Sequence, residues 1–148
     1  MKTLIYIALM IGTICLTSCN RTSPTNMLSS VAADSLVTKW NKAWNDKNAE
    51  GVMKLIADDA FLVINKEVIT GHDSIQKLFV KNNIGFVKNL QIKKVTCKVE
   101  KKFTWYCGAF THLVVRHDSI ISTEKGNVIF TWKPQPDNSW KLAFISIQ

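Results

Sequence analysis

FTWYCGAFTHLVVRHDSIISTEKGNVIFTWK, residues 103–133, decides the fold. Its apolar residues recur with a period near two, so Phe103 to Arg116 and Ser122 to Lys133 read as two long strands. His117-Asp118 follows Arg116 where the first strand must turn back, and reads as a solvated loop pair. Upstream, Ile92, Val95, Cys97 and Val99 fall in another strand that begins near Leu90, with one break in alternation between 92 and 95. Downstream, Pro134-Gln135-Pro136-Asp137-Asn138 is a turn leading into a fourth long strand, Ser139 to Ile147.

The half before Leu90 has a different period. Between Val31 and Asp46, apolar residues at 33, 36/37, 40 and 43/44 predict a helix, with Trp40 and Trp44 one turn apart on one face. Val52, Leu55 and Ile56 share a stripe on a second short helix, Ala49 to Ala57. Asp58-Asp59 ends it, Phe61 to Ile64 reads as a short strand, and Asn65-Lys66 turns into Val68-Ile69-Thr70. Gly71-His72-Asp73 opens a third helix: Asp73 and Gln76 approximate a capping box, and Ile75, Leu78 and Phe79 form the apolar stripe. Helices first and then a meander of long antiparallel strands make an α+β fold.

The composition, 47% hydrophobic and 20% charged with six Gly and three Pro in 148 residues, excludes collagen-like, mucin-like and wholly disordered chains. With neither a repeat nor a second linker, residues 31–148 make one domain, large enough to bury a core without a disulfide or metal staple. Net charge is +8, and Lys93, Lys94, Lys98, Lys101 and Lys102 cluster beside Phe103 and Trp105. That cluster reads as a solvated strand face or an attraction to anionic lipid head groups; nucleic acid is not the expected partner.

Residues 1–18 read as a secretory leader. Lys2 gives a positive start, and the apolar run Leu4 to Leu16 spans about 20 Å as a helix, short of the roughly 30 Å hydrocarbon core. The run ends in Leu16-Thr17-Ser18-Cys19, which resembles the bacterial lipobox. The resemblance implies a diacylglycerol on the Cys19 thiol and cleavage before it. It also implies palmitate-like acylation of the new amino terminus, hence a membrane partner through a lipid anchor. Asn20 stands where an Asp would resemble the inner-membrane retention signal, so the lipoprotein resemblance implies the outer membrane; residues 19–30, polar with Pro24 and a single charge, read as a flexible tether on the periplasmic side.

The mature domain resembles the SnoaL-like branch of the nuclear-transport-factor-2-like superfamily. The residues that carry the resemblance are Trp40 and Trp44, Ala57-Asp58-Asp59-Ala60-Phe61, Gly71-His72-Asp73-Ser74-Ile75, Lys125-Gly126-Asn127-Val128, Thr131-Trp132-Lys133 and Asp137-Asn138-Ser139-Trp140-Lys141-Leu142. The resemblance implies a cystatin-like α+β roll: N-terminal helices packed in a strongly curved antiparallel sheet, forming a cone with a pocket at one end. It implies no single activity, because relatives include isomerases, cyclases, dehydratases and binding domains. Where ketosteroid isomerases of the superfamily carry their proton-shuttling Asp, this sequence has Ile64, which cannot take a proton. Where relatives often carry polar pocket residues, it has Phe144 and Ser146.

No catalytic residue is therefore assigned, and neither metal nor cofactor is expected. Trp40, Ile64, Tyr106, Phe110, His112 and Phe144 are the candidate pocket residues, with His112 on the same strand face as Tyr106 and Phe110. Cys97 and Cys107 are a disulfide candidate. A hairpin centred on Lys102 sets them opposite each other, and a centre at Phe103 separates them; two buried thiols are the alternative. The expected role is a membrane-anchored periplasmic lipoprotein domain that binds a small, largely apolar ligand or a partner protein without catalysis. Two alternatives stand beside it: a SnoaL-like enzyme using His112 or Tyr106, and a module that homodimerises through its outer sheet face.

Overall fold

The computed structural model describes residues 29–148. The leader (1–18), Cys19 and all but the last two residues of the tether (19–30) lie outside the described residues. The first described element is α1 (Ser30–Asn45). Ser29 caps it, its hydroxyl accepting from the Ala32 N–H at 3.1 Å, which satisfies one of the donors that a helix start leaves free. The face bearing Ala33, Val37, Trp40 and Trp44 is buried, as the spacing predicts.

Asn48 caps α2 (Ala49–Lys54) through the Gly51 N–H. This helix stops earlier than its stripe suggests. Ile56 and Ala57 already belong to β1 (Ile56–Ile64), because the Leu55 carbonyl accepts from Leu142 N–H and joins the chain to the sheet there. Asn65 and Lys66, with φ of 50° and 70°, form the two-residue turn into β2 (Glu67–Thr70).

The third helix departs from expectation in two ways. Its N-cap is Gly71, which makes no side-chain bond, so the Asp73/Gln76 capping box does not form. After α3 (His72–Ile75) the backbone widens into a π segment, Gln76–Val80, and closes as α4 (Lys81–Asn83). The wider turn rotates the apolar face, burying Ile75, Phe79 and Val80 and leaving Leu78 exposed.

The four long strands are β3 (Val87–Val99), β4 (Thr104–Arg116), β5 (Ser119–Pro134) and β6 (Trp140–Ile147). His117 and Asp118, with φ of 48° and 61°, form the predicted β4–β5 turn. Among the described residues the sheet has the order β2-β1-β6-β5-β4-β3. All neighbours are antiparallel except β1 and β6, which run parallel. Sequence reading misses that pair because no turn connects the two strands.

Register shifts mark every long pairing and curl the sheet around the helices. One lies between Lys88 and Gln91, where Asn89 takes φ 54°; Asn tolerates that left-handed conformation better than most residues. Asn45 at the end of α1 clamps this bulge, accepting from Leu90 N–H at 2.7 Å and donating to Leu90 C=O at 3.0 Å. Tyr106, Phe130, Trp132, Leu142 and Ile145 fill the concave side against α1.

The disulfide expected between Cys97 and Cys107 is not formed; both thiols are free. The turn residues are Lys101 and Lys102, with Glu100 N–H donating to Phe103 C=O, and Val95 is bulged out of the ladder. Cys97 therefore faces Tyr106, and Cys107 faces Thr96. A register offset by one residue sends the two thiols to opposite faces of the sheet. Cys97 packs on the core, and burial pushes its thiol up in pKa, away from reactivity.

Replacing Asn45 with Ala removes both bonds to the half-buried Leu90 backbone. The expected cost is about 2 kcal/mol, read as a lower guanidinium midpoint at unchanged slope. An unchanged midpoint would show that the bulge is held by packing alone.

Candidate functional site

Beyond the Trp40–Trp44 face of α1, at the end where β3 begins, the curled sheet walls a cavity of about 100 Å³ that is open on one side. Two rows of inward side chains form its sheet walls. Ile92 and Phe110 stand opposite each other on β3 and β4, with Gly126 next on β5. Ile64, Ile147 and Val128 form the second row across β1, β6 and β5. Gly126 is required here: a Cβ would lie 2.7 Å from the Phe110 ring and 2.1 Å from the Gln148 carbonyl oxygen. With no side chain in the way, the Phe110 ring lies over the neighbouring strand and closes that wall.

The helices supply the remaining walls. Trp40 and Trp44 pack at 5.8 Å between ring centroids, and Trp44 meets Phe79 of the π segment edge-on at 5.5 Å. The helical widening at Gln76–Val80 is thus what brings Phe79 to the cavity. Asn83, half-buried, lies on the rim, its amide donating to the Phe79 carbonyl at 2.7 Å.

Four lining side chains carry polar atoms: Asn83, His112 and the indoles of Trp40 and Trp44, of which the Trp44 N–H is buried and has no acceptor. No carboxylate lines the cavity. The His112 ring is stacked on Phe110 at 5.6 Å, with its side chain only 12% exposed. Desolvation holds its pKa below the ordinary 6.5, and Glu124, directly across the ladder with its carboxylate 3.4 Å from Nε2, opposes that shift. His112 is therefore neutral at neutral pH. It can exchange one hydrogen bond with a ligand and offers no fixed charge.

Four of the six candidate pocket residues, Trp40, Ile64, Phe110 and His112, line this cavity. The other two do not. Tyr106 lies within the core against Phe130, 2% exposed, and burial pushes its phenol up to about 12, beyond use as an acid or base near neutrality. Phe144 is on the opposite face of the sheet: a register shift between Thr131 and Trp132 places it beside Phe61, with ring centroids 4.8 Å apart. Sequence reading missed Phe79 and Asn83, because nothing local announces the widened helix. Trp44 was missed as well, although it lies one turn from Trp40 on the same helix face.

The remaining histidines have structural positions. His72 Nε2 lies 3.2 Å from the Met53 carbonyl and ties α3 to α2, while His117 sits in the β4–β5 turn. Among the described residues, no three His, Cys, Asp or Glu side chains converge as a metal site.

No protein-family model matches the sequence, and no curated protein does. Solved structures match its fold. A nuclear-transport-factor-2-like protein of unknown function from Shewanella oneidensis MR-1 superposes with a TM-score of 0.65 at 16% identity, covering 78% of this chain and 94% of that one. A ketosteroid isomerase-like protein from Erwinia carotovora atroseptica gives 0.65 at 13% identity, over 77% and 90% of the two chains. A nuclear transport factor 2-like superfamily protein from Salmonella enterica serovar Typhimurium gives 0.66 at 12% identity, over 86% and 92%. The chain has the nuclear-transport-factor-2-like fold, and at these identities the likeness carries the architecture alone.

The neutral state of His112 has a measurable consequence. A histidine whose pKa is depressed on folding contributes stability above its unfolded value, near 6.5, and that contribution is lost as pH falls through the folded value. Denaturation midpoints should fall below pH 6.5 and fall less in His112→Gln, and the His112 ring should titrate below 6.5 by NMR. Titration above 6.5 would mean that Glu124 outweighs burial.

Proposed function

We propose that this domain is a membrane-anchored, periplasm-facing lipoprotein of the outer membrane that binds a small, neutral, largely apolar ligand without catalysis. The observation that carries the ligand reading is the cavity itself. Its walls are aromatic and aliphatic, its polar atoms are few and uncharged, and Ile64 lines it where an isomerase would place a base. A closed apolar cavity of roughly 150 Å³ takes a benzene, so about 100 Å³ that is open on one side suits a short branched chain, or a single ring that extends into its mouth. A charged ligand would leave its ion in an apolar site without a counter-charge, which costs several kcal/mol or more.

The anchor reading rests on Leu16-Thr17-Ser18-Cys19. Among the described residues no helix is long and apolar enough to cross a membrane, so within this reading attachment falls to the acyl chains.

The ligand reading is tested with toluene, benzaldehyde and benzoate, which share a ring and differ in polarity and charge. The two neutral compounds should shift the amide and indole resonances of Trp44 and the ring resonances of His112. Benzoate should bind at least about tenfold more weakly, and Val128→Phe, which fills the cavity, should abolish the shifts. Shifts that survive Val128→Phe would place the ligand elsewhere. Chemical turnover of any ring compound that disappears in His112→Ala would favour the enzyme reading, with Glu124 orienting the imidazole.

The anchor is tested by intact mass. Protein recovered from bacterial membranes should begin at Cys19 and carry acyl mass, whereas Cys19→Ala should retain the leader and carry none. An unacylated wild-type protein would end the lipoprotein reading.

A further inference from the structure

The charge of this protein is concentrated at one place in the fold. Between Lys93 and Trp105 there are five lysines and one glutamate, a net +4 of the chain's +8, while Lys88 lies at the other end of the same strand. These residues form the second half of β3 and its hairpin with β4, and β3 is one of the two edge strands of the sheet. Two of the lysines are neutralised locally: Lys94 pairs with Asp34 on α1 at 2.6 Å, and Lys98 with Glu100 at 3.1 Å. Lys93, Lys101 and Lys102 are exposed and make no ion pair among the described residues. Exposed apolar side chains lie among them: Val95 pushed out by its bulge, Phe103 at the turn, and Trp105 directly opposite Lys98. Lysines interleaved with exposed aromatic and aliphatic groups suit a surface that is anionic outside and apolar just beneath.

The geometry points to the β3–β4 hairpin as a docking surface for an anionic lipid bilayer. Its position agrees with where the chain enters the fold. Asp34, in the second turn of α1, lies against Lys94, and Asn45 at the far end of that helix lies against Leu90. The helix therefore runs antiparallel to β3, with its N-terminus towards the hairpin. From Lys94 the strand continues past α1 to Lys101, on the order of 20 Å at about 3.3 Å per residue. The hairpin tip and the start of α1 thus share one end of the molecule, and the cavity, beside Leu90 and His112, lies at the other. Docked this way, the domain would present its cavity away from the bilayer. The inference is independent of the ligand reading and does not require acylation, because it concerns the preference for anionic over neutral lipid.

The experiment uses the full chain with vesicles of phosphatidylcholine, with and without phosphatidylglycerol, at low and high salt. At low salt the wild-type protein should prefer the anionic vesicles, and high salt should erase the preference. Lys93→Glu/Lys101→Glu/Lys102→Glu should weaken partitioning onto anionic vesicles by about a hundredfold, from about fivefold per lysine. Binding to neutral vesicles should be unchanged. Lys66→Glu/Lys77→Glu/Lys81→Glu makes the same change in net charge on exposed residues away from this edge and should retain most of the preference. Equal losses in the two variants would overturn the assignment, because net charge alone would then be responsible. So would an undiminished anionic preference in the hairpin variant. Salt-sensitive binding of a single-stranded RNA oligonucleotide without binding to anionic vesicles would overturn it as well.

Discussion

The edge-on contact between Trp40 and Phe130, 5.2 Å between ring centroids with the planes inclined at 61°, is the constraint on which the rest of the molecule depends. Phe130 is in turn flanked edge-on by Trp132 at 5.9 Å, and Trp40 by Trp44. This chain of rings seats α1 in the hollow of the sheet. Each such pair is worth about 0.5–1.5 kcal/mol beyond its area, but the geometric consequence matters more. A helix about 10 Å across fits against a sheet on one side only if the sheet curls to meet it. The aromatics set how far apart helix and sheet can stand.

The curl has its own devices. Bulges in β3, β5–β6 and β1, the left-handed Asn89 and the missing side chain at Gly126 all shorten or bend the concave side. They also decide which side chains meet. The bulge at Val95 separates the two cysteines, and the shift near Ala143 turns Phe144 outward while Ile145 and Ile147 face in. A period-two pattern does not resolve such shifts, because each one exchanges inside for outside without altering composition.

The two ends of α1 have opposite character. At its C-terminal end the sheet and the widened third helix leave an apolar space with four uncharged polar groups. Towards its N-terminal end an edge strand and its hairpin carry a net +4, half of the chain's net charge. Lysines cluster without cost only where water or a counter-charge can reach them, and an edge strand offers that on one flank. At the cavity, burial of the single histidine outweighs the Glu124 carboxylate beside it, so the ring is held neutral.

By itself the sequence determined the elements: the α1 face bearing Trp40 and Trp44, the long strands, and the turns at Asn65-Lys66 and His117-Asp118. These follow from local periodicity and from residues that tolerate a left-handed backbone, and both are written within a few positions. It also identified Ile64, Phe110 and His112 as neighbours of one space, because the resemblance and strand alternation pointed the same way. Only the tertiary structure decided the parallel β1–β6 pairing, the partners of Cys97 and Cys107, the outward turn of Phe144 and the arrival of Phe79 and Asn83 at the cavity. The first joins strands that no turn connects, and the other three depend on a one-residue shift or an extra residue in a helical turn. Those are settled by how the core closes around Trp40 and Phe130, a non-local condition that no short window of sequence contains.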